Sequence, residues 1–201
     1  MRIEAERAGV DGPHGPLLRP TSLSVREGEV TLVTGEPGAG HTTLALVLAG
    51  RMRLSQGTVT PDAATLREHV VLVDAPGVNE PEGGLKLGDA IAEELMNAGR
   101  PANRKAVREW LRAQDAGQYV ADRVDTIPAQ VRTRLLIEAA SAKPGVRALL
   151  IDQPDRHVSD PRTWWPEAVE QAGRGLAVVV LCAPASVQAL NAEAVLIGAP
   201  E

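Results

Sequence analysis

Residues 29–50 read EVTLVTGEPGAGHTTLALVLAG. An apolar, strand-like run comes first, a glycine-rich loop follows, and LALVLAG continues with apolar residues at helical spacing. This order of strand, loop and helix is what a phosphate-cradling loop requires, because backbone N–H groups must turn inward around phosphate oxygens. The stretch predicts a phosphate-binding loop opening an α/β domain.

The loop matches the pattern G-x-x-x-x-G-K-[ST] at every fixed position except the lysine. Its glycines leave room for inward-facing N–H groups, since no Cβ stands in the way. The candidate nucleotide-binding residues are Gly35, Glu36, Pro37, Gly38, Ala39, Gly40, His41, Thr42 and Thr43.

His41 replaces the lysine that would reach the β- and γ-phosphates. Imidazole is shorter, and with an ordinary pKa of about 6.5 it is mostly neutral at cellular pH unless bound phosphate raises that pKa. Two interpretations stay open from the sequence: the loop binds nucleotide, or it is a purely structural glycine turn.

Two residues are candidate ligands for Mg²⁺. Thr42 stands where the metal-binding hydroxyl belongs, and Asp152, at the end of the apolar run ALLID, stands where its acidic partner belongs. Gln153 follows Asp152 directly. ATP and Mg²⁺ are therefore the implied ligands, with weak binding expected.

The remaining pattern predicts a single α/β domain over residues 1–201. Strand-like runs fill residues 1–34, and apolar runs at 69–73, 148–152, 176–182 and 194–198 alternate with helical segments. Apolar strands without polar alternation, separated by helices, indicate a parallel sheet covered on both faces. Helices are expected at 85–99, 101–113 with Asn103 as cap, 129–142, 161–172 and from Pro184 onward.

Composition excludes several classes of function. The net charge of −5 and pI of about 5.5 argue against nucleic-acid binding through a broad basic surface. No signal peptide is recognisable, and no apolar run approaches the ~18 residues that span a bilayer. The lone Cys182 lies in an apolar run and is expected to be a buried hydrophobe. We therefore expect a cytoplasmic protein, and the arginine-, alanine- and glycine-rich composition hints at a bacterial source.

Three stretches resemble one family in the correct order. LLRPTSLSVREGEVTLVTGEPGAGHTTLALVLAG (17–50) resembles the N-terminal third of the ATP-binding cassettes of ABC transporters. LSQGTVTPD (54–62) and RALLIDQPDRHVSDP (147–161) resemble two later motifs of that family, the second being its Walker B strand and D-loop. The resemblance implies a P-loop fold with a RecA-like parallel sheet, an N-terminal antiparallel β subdomain and a small helical subdomain at about 76–140.

The same resemblance shows which functional positions of the family are changed. The catalytic glutamate is replaced by Gln153, which can orient water but cannot accept its proton. The signature loop LSGGQ falls on Ile127–Val131, IPAQV, which lacks the serine and glycine donors. The conserved basic pattern after that loop is matched by Arg132 and Arg134.

Three further positions differ from the family. The Q-loop glutamine aligns with Asp74, and the switch histidine falls on Ala183 or Pro184. The aromatic that stacks on adenine is at best His14. The resemblance thus implies a degenerate cassette with weak or absent hydrolysis, that is, a pseudo-ATPase.

The expected role is a regulatory or structural subunit with a membrane permease or a second cassette, held at the inner face of the membrane through that partner. The acidic run NEPEGG (79–84) predicts a flexible segment that a partner would order. The Trp164–Trp165 pair is expected in the core, the alternative being an interface anchor.

The loop is also compatible with other functions. A slow but genuine ABC ATPase would need His41 to become charged on binding, and a small-molecule kinase would need arginines in a lid. Asp74–Gly77 reads DAPG and resembles a GTPase switch, but no guanine-reading motif follows it.

Overall fold

The computed structural model of the chain describes residues 1–199. Its strands are β1 Arg2–Gly12, β2 Gly15–Arg26, β3 Val30–Thr34, β4 Gln56–Thr60, β5 Val70–Val73, β6 Ala148–Asp152, β7 Ala177–Cys182 and β8 Val195–Leu196. Its α-helices are α1 His41–Leu48, α2 Ala63–His69, α3 Leu87–Asn97, α4 Arg104–Ala113, α5 Ala129–Ser141, α6 Trp165–Gly173 and α7 Pro184–Leu190.

A three-stranded antiparallel sheet forms the N-terminal part of the fold. Its strand order is β2-β1-β4, with Ile3 opposite Val25 and Glu4 opposite Thr60. Side chains of β1 alternate between buried and exposed near its start, which is the pattern of a sheet with one face on the core. The sheet therefore has a buried face to pack against the rest of the domain.

A five-stranded parallel sheet forms the second layer, in the order β5-β6-β7-β3-β8. Every residue of β6 and β7 is buried, because helices cover both faces of a parallel sheet. β7 lies between β3, which leads into the phosphate loop, and β6, which ends at Asp152. The predicted α/β class with a RecA-like sheet is confirmed.

The helices agree with the predicted segments apart from α2, which was not expected, and α6, which begins at Trp165 and not at residue 161. Asn103 caps α4, accepting hydrogen bonds from the backbone N–H groups of Lys105 and Ala106 at 3.1 and 3.0 Å, as expected. The sequence reading missed α2, so the strand expected to begin at His69 begins one residue later, at Val70. None of the helices within residues 1–199 is long and apolar enough to span a bilayer.

Two apolar clusters flank the parallel sheet. One joins α1 to both sheets, and the other joins the sheet to α3, α4, α5 and α6. Trp164 belongs to the second cluster and is only 1% exposed, while Trp165 packs partly buried beside it. Core packing of this pair is thus confirmed, and the interface alternative is wrong for Trp164. Cys182 is fully buried, and burial raises the pKa of its thiol to about 12.

Candidate nucleotide-binding site

The glycine-rich loop connects β3 to α1 and turns through two left-handed residues. Gly38 has φ 84° and Gly40 has φ 103°, values that favour glycine. A Cβ on Gly40 would lie 2.4 Å from the carbonyl oxygen of Leu17 in β2, whereas a Cβ on Gly38 would meet nothing within 4 Å. Gly40 is therefore required by close packing on the neighbouring sheet, and Gly38 faces open space.

Helix α1 begins at His41 without a side-chain cap. The first intrahelical donor is the N–H of Leu44, which bonds to the carbonyl of Gly40 at 2.8 Å. The N–H groups ahead of it are the unpaired donors with which a helix N-terminus binds an anion, and the helix dipole adds partial positive charge there. The backbone of this loop thus fits a phosphate group.

The two candidate Mg²⁺ ligands meet across the sheet. The hydroxyl of Thr42 donates a hydrogen bond of 2.6 Å to Oδ2 of Asp152, which is fully buried. Burial raises the pKa of this carboxyl, although the hydrogen bonds from Thr42 and Gln153 oppose the shift. A hydroxyl and a carboxylate side by side form an oxygen donor set of the kind Mg²⁺ prefers.

His41 lies beneath the loop and not at its open face. The residue is 6% exposed, and a Cβ on Gly35 would lie only 3.5 Å from its Cε1. The ring faces Asp152, Asp155 and the backbone of Cys182. Burial lowers its pKa below 6.5 even though both carboxylates act to raise it, so the ring is neutral at pH 7. Its Nε2 has no hydrogen-bond partner within residues 1–199.

Gln153 stands in a left-handed conformation, with φ 51° and ψ 57°. Its backbone N–H donates to the carbonyl of Leu181 at 2.8 Å, and its side-chain amide points back to Oδ1 of Asp152 at 3.3 Å. An amide held in this way has no basic atom for a water molecule. Gln153 therefore supplies no general base.

The segment expected to carry the switch residue is held by Asp155. Its Oδ2 accepts hydrogen bonds from the backbone N–H of Ala183 at 2.7 Å and from the hydroxyl of Ser186 at 2.9 Å. Ala183 and Pro184 thus begin α7 under a carboxylate cap and present no side chain capable of proton transfer.

An open cleft of about 820 Å³ lies against the outer side of the loop. His14, in the turn between β1 and β2, lines one wall, and Gly35 to Ala39 line another. The fold therefore brings the candidate adenine-stacking residue next to the candidate phosphate-binding loop. Apart from His14, the side chains of this cleft are not aromatic, so stacking on a base rests on the imidazole alone.

Ile127 to Val131, at the position of the signature loop, lead into α5. Ile127 is buried in the second apolar cluster, and Pro128 precedes the first helical residue without a side-chain cap. Gln130 is the exposed polar side chain of the helix's first turn. The segment offers little to a phosphate on another chain.

A buried ion pair that the sequence reading missed joins Asp74 to Arg132. The guanidinium of Arg132 makes two hydrogen bonds to the carboxylate of Asp74, the longer being 2.7 Å from Nη2 to Oδ1, and both side chains are about 5% exposed. Arg156 donates to the backbone carbonyl of Asp74 at 2.8 Å and to Glu80 at 2.9 Å. His157 lies 3.3 Å from Asp74. We refer to these five residues as the Asp74 network.

The network ties three parts of the chain together: the segment after β5, the start of α5 and the segment after β6. Burial alone would raise the pKa of Asp74, but His157 and Arg132 outweigh it, and the pKa lies below its ordinary value. Although Asp74, Glu80 and His157 lie close enough to hold a cation, the two guanidinium groups already neutralise these carboxylates. The cluster is an ion-pair network and not a metal site.

The expectation of a flexible segment at 79–84 is wrong for its first two residues. The side chain of Asn79 donates to the carbonyl of Leu72 at 2.8 Å and accepts from the N–H of Ala75 at 2.9 Å. Glu80 joins the Asp74 network through Arg156. Asn79 and Glu80 therefore hold the turn after β5 in place through hydrogen bonds and an ion pair.

A phosphate-type loop between a strand and a helix, with a buried aspartate on a nearby parallel strand, defines a P-loop nucleotide-binding fold. A model of the ABC transporter family matches residues 18–154. The chain belongs to this family, as its resemblance indicated. The small-molecule kinase alternative finds no support.

Curated relatives are import and export ATP-binding proteins. The arabinose import ATP-binding protein AraG of Ralstonia nicotianae is 30% identical over 87% of this chain and 39% of its own length. The taurine import ATP-binding protein TauB of Burkholderia pseudomallei is 31% identical over 68% of this chain and 54% of its own length. The chain thus spans only part of the length of these relatives.

Solved structures agree on the fold. A nucleotide-free ATP-binding cassette from an ABC transporter has a TM-score of 0.70 and 17% identity, over 99% of this chain and 90% of the other. The ATP-binding subunit of another ABC transporter has a TM-score of 0.64 at 17% identity, over 92% of this chain and 80% of that one.

The first prediction concerns His41. His41→Lys should tighten binding of Mg-ATP by at least about tenfold, since a permanent charge on a longer stem replaces a neutral buried ring. His41→Gln is the matched neutral control and should not tighten binding. Isothermal calorimetry at pH 7 measures both, and equal affinity of the two variants would contradict a phosphate-binding role for this position.

The pH dependence of binding gives a second readout of the same ring. Bound phosphate would raise the pKa of His41, whereas burial lowers it in the free protein, so binding should strengthen as pH falls. The increase in affinity should continue below pH 6.5, which is lower than the sequence alone suggests. His41→Lys should show no such dependence.

The second prediction concerns the Asp74 network. Arg132→Met leaves a buried carboxylate without its main partner and should lower the free energy of unfolding by about 3–5 kcal/mol. Asp74→Asn combined with Arg132→Met should recover most of that loss, because no charge is then stranded. Urea denaturation measures both variants against the wild type, and Arg123→Met, which breaks an exposed pair with Asp125, serves as the control.

The sign of the pH effect follows from the lowered pKa of Asp74. The contribution of the ion pair is complete above pH 3.8, the ordinary aspartate value, and is lost as pH falls through the lower folded-state pKa. If Arg132→Met and Arg123→Met cost the same, the network does not stabilise the fold as described.

Proposed function

We propose that this chain is a degenerate ATP-binding cassette that binds Mg-ATP weakly and hydrolyses it negligibly. It acts as a regulatory or structural subunit beside a membrane permease or a second cassette, at the cytoplasmic side of the membrane. The observation that carries the proposal is the position of His41, a neutral ring buried beneath the loop where a charged lysine would reach the phosphates.

Nucleotide would be held mainly by backbone groups. The N–H donors at the start of α1 would face the phosphates, and Thr42 with Asp152 would hold Mg²⁺, whose charge neutralises that of the phosphates. His14 would border the base. Because the side-chain contribution of a lysine is missing, the affinity would be low.

The side chains that ATP hydrolysis requires are missing from this chain's motif positions. Gln153 has no basic atom and its side-chain amide is hydrogen-bonded to Asp152, and Ala183 or Pro184 takes the place of the switch residue. Loss of one transition-state donor costs about 10²–10³ in rate, and here several positions are altered together. Even with strong non-additivity, little turnover should remain.

A slow but genuine ATPase is the second candidate. It is favoured by the unpaired Nε2 of His41, a buried polar atom that a phosphate oxygen would satisfy, and by the Thr42–Asp152 pair. In that case phosphate binding would charge the imidazole, and a partner would supply the missing signature residues.

The third prediction separates these candidates. Phosphate release by the purified chain with Mg-ATP should not exceed that of Asp152→Asn, a variant that removes the charged Mg²⁺ ligand. Calorimetry on the same samples should show weak binding that Asp152→Asn abolishes. Turnover of about 1 s⁻¹ or more, lost in Asp152→Asn, would establish an active ATPase, and absence of binding would establish a structural turn.

A groove beside the Asp74 network supports the proposal of a partner. It has a volume of about 300 Å³ and lies between the end of β5, α3 and α5. Val71, Leu72 and the 46%-exposed Val78 give it an apolar wall, and its charged lining residues are Glu94, Arg51 and Lys143. Burial raises the pKa of Glu94 to about 7, with further contributions from Asp74 and Glu93.

Glu94 is the single carboxyl among the residues that line this groove, and the cations Arg51 and Lys143 outnumber it. The charges of the groove therefore do not favour a cationic partner. We expect the partner to cover the apolar wall of the groove with apolar residues of its own.

The fourth prediction uses two neighbouring glutamates. Glu94→Lys should abolish co-purification of a membrane permease or second cassette with this chain. Glu93→Lys, an identical charge change at an exposed position of the same helix that does not line the groove, should preserve it. Association should not require ATP, and equal loss in both variants would contradict docking at this groove.

A further inference from the structure

A second cleft, of about 330 Å³, lies in the helical region away from the phosphate loop. It is bounded by the first turns of α3 and α4 and by the segment at residues 120–121. Three cations line it: Lys86 just before α3, and Arg104 and Arg108 on α4. No residue lines both this cleft and the one at the phosphate loop, so the two are separate places on the molecule.

The three cations are not neutralised by the protein. None of Lys86, Arg104 and Arg108 makes a salt bridge or side-chain hydrogen bond in the part of the chain that the structure describes. Their neighbour on α4, Lys105, instead lies 3.9 Å from Glu109. Unpaired cations gathered at one cavity stand out in a chain whose net charge is −5.

The single carboxylate of the cleft has another role. Asp89 lies in the first turn of α3, where a negative side chain interacts favourably with the helix dipole. It forms no salt bridge with the cations of the cleft within residues 1–199. Three positive side chains thus face one carboxylate, which leaves an excess of positive charge in the cavity.

The N-terminal ends of α3 and α4 border the cleft, but their first N–H groups already have partners. Those of α3 donate to the backbone carbonyls of residues 122 and 120 at 2.8 and 3.0 Å, and those of α4 donate to the side chain of Asn103. The three cationic side chains therefore supply the positive charge of the cleft. Val107 and Val120 provide apolar surface beside the charged groups, so the cavity has room for a ligand with both characters.

We propose that this cleft binds a phosphate-bearing anion, as a free phosphate compound or as the headgroup of an anionic lipid. Guanidinium groups bind phosphate oxygens through paired, charge-assisted hydrogen bonds, and Lys86 would add a third charge from the opposite wall. A bound anion would hold the first turns of α3 and α4 together. Glu94, which lines the groove beside the Asp74 network, also lies on α3. The same ligand would therefore restrict the movement of the helix that carries Glu94.

The fifth prediction compares two double variants of one helix. Arg104→Gln with Arg108→Gln removes two charges that line the cleft. Lys105→Gln with Arg112→Gln removes two charges from α4 that do not. Because the net charge change is the same, long-range attraction falls equally in both, and their difference reports on the cleft.

Two probes distinguish the sources of phosphate. Pyrophosphate binding is followed by calorimetry, and lipid binding by co-sedimentation with phosphatidylglycerol–phosphatidylcholine vesicles against pure phosphatidylcholine vesicles. The cleft variant should bind the relevant probe at least about tenfold more weakly than the wild type, and the control variant about as well as the wild type. Binding of pyrophosphate identifies a soluble ligand, and binding of vesicles alone identifies a lipid headgroup.

Binding at the phosphate loop does not confuse the result, because neither double variant alters that loop. Circular dichroism and thermal unfolding check that both variants fold, and Lys86→Gln, on a different element, should weaken binding in the same direction. The proposal is overturned if both double variants behave alike, or if the wild type binds neither probe.

Discussion

The close contact between Gly40 and the backbone of β2 fixes the geometry of the candidate site. A Cβ at position 40 would lie 2.4 Å from the carbonyl oxygen of Leu17, so only glycine allows the start of α1 to pack this closely on the antiparallel sheet. With α1 so placed, Thr42 reaches Asp152 and the ring of His41 turns beneath the loop. This steric constraint thus acts directly beside Thr42 and His41, at the start of α1.

The positions that differ from the family motifs make contacts of their own in this chain. Asp155 caps the segment where a switch residue would stand, and Gln153 bonds back to the metal-binding aspartate. Asp74 is engaged by two arginines and lies against a histidine. Whereas Nε2 of His41 has no hydrogen-bond partner within residues 1–199, these side chains are satisfied by other groups of the same chain, as buried polar groups generally are.

Sequence reasoning succeeded where a local signal was strong. The glycine-rich loop between β3 and α1, the cap at Asn103 and the buried run around Cys182 follow from residue type and spacing within a few positions. Helix α2 was missed because it has seven residues and only Leu66 is buried, although Asp62 gave a capping signal. The Asp74–Arg132 pair joins residues 58 apart, and no periodicity encodes such a contact. Burial of His41 likewise depends on how the loop packs, which spacing does not reveal.

The Asp74 network has a mechanical consequence. A single carboxylate connects the first turn of α5 to the turn after β5, and Arg156 links that turn to the segment after β6. Helices and sheet that are joined at such a point resist sliding past one another. A force applied to the helices would therefore be transmitted to the sheet. A rigid domain of this kind can transmit force between its neighbours in a larger assembly without generating the movement itself.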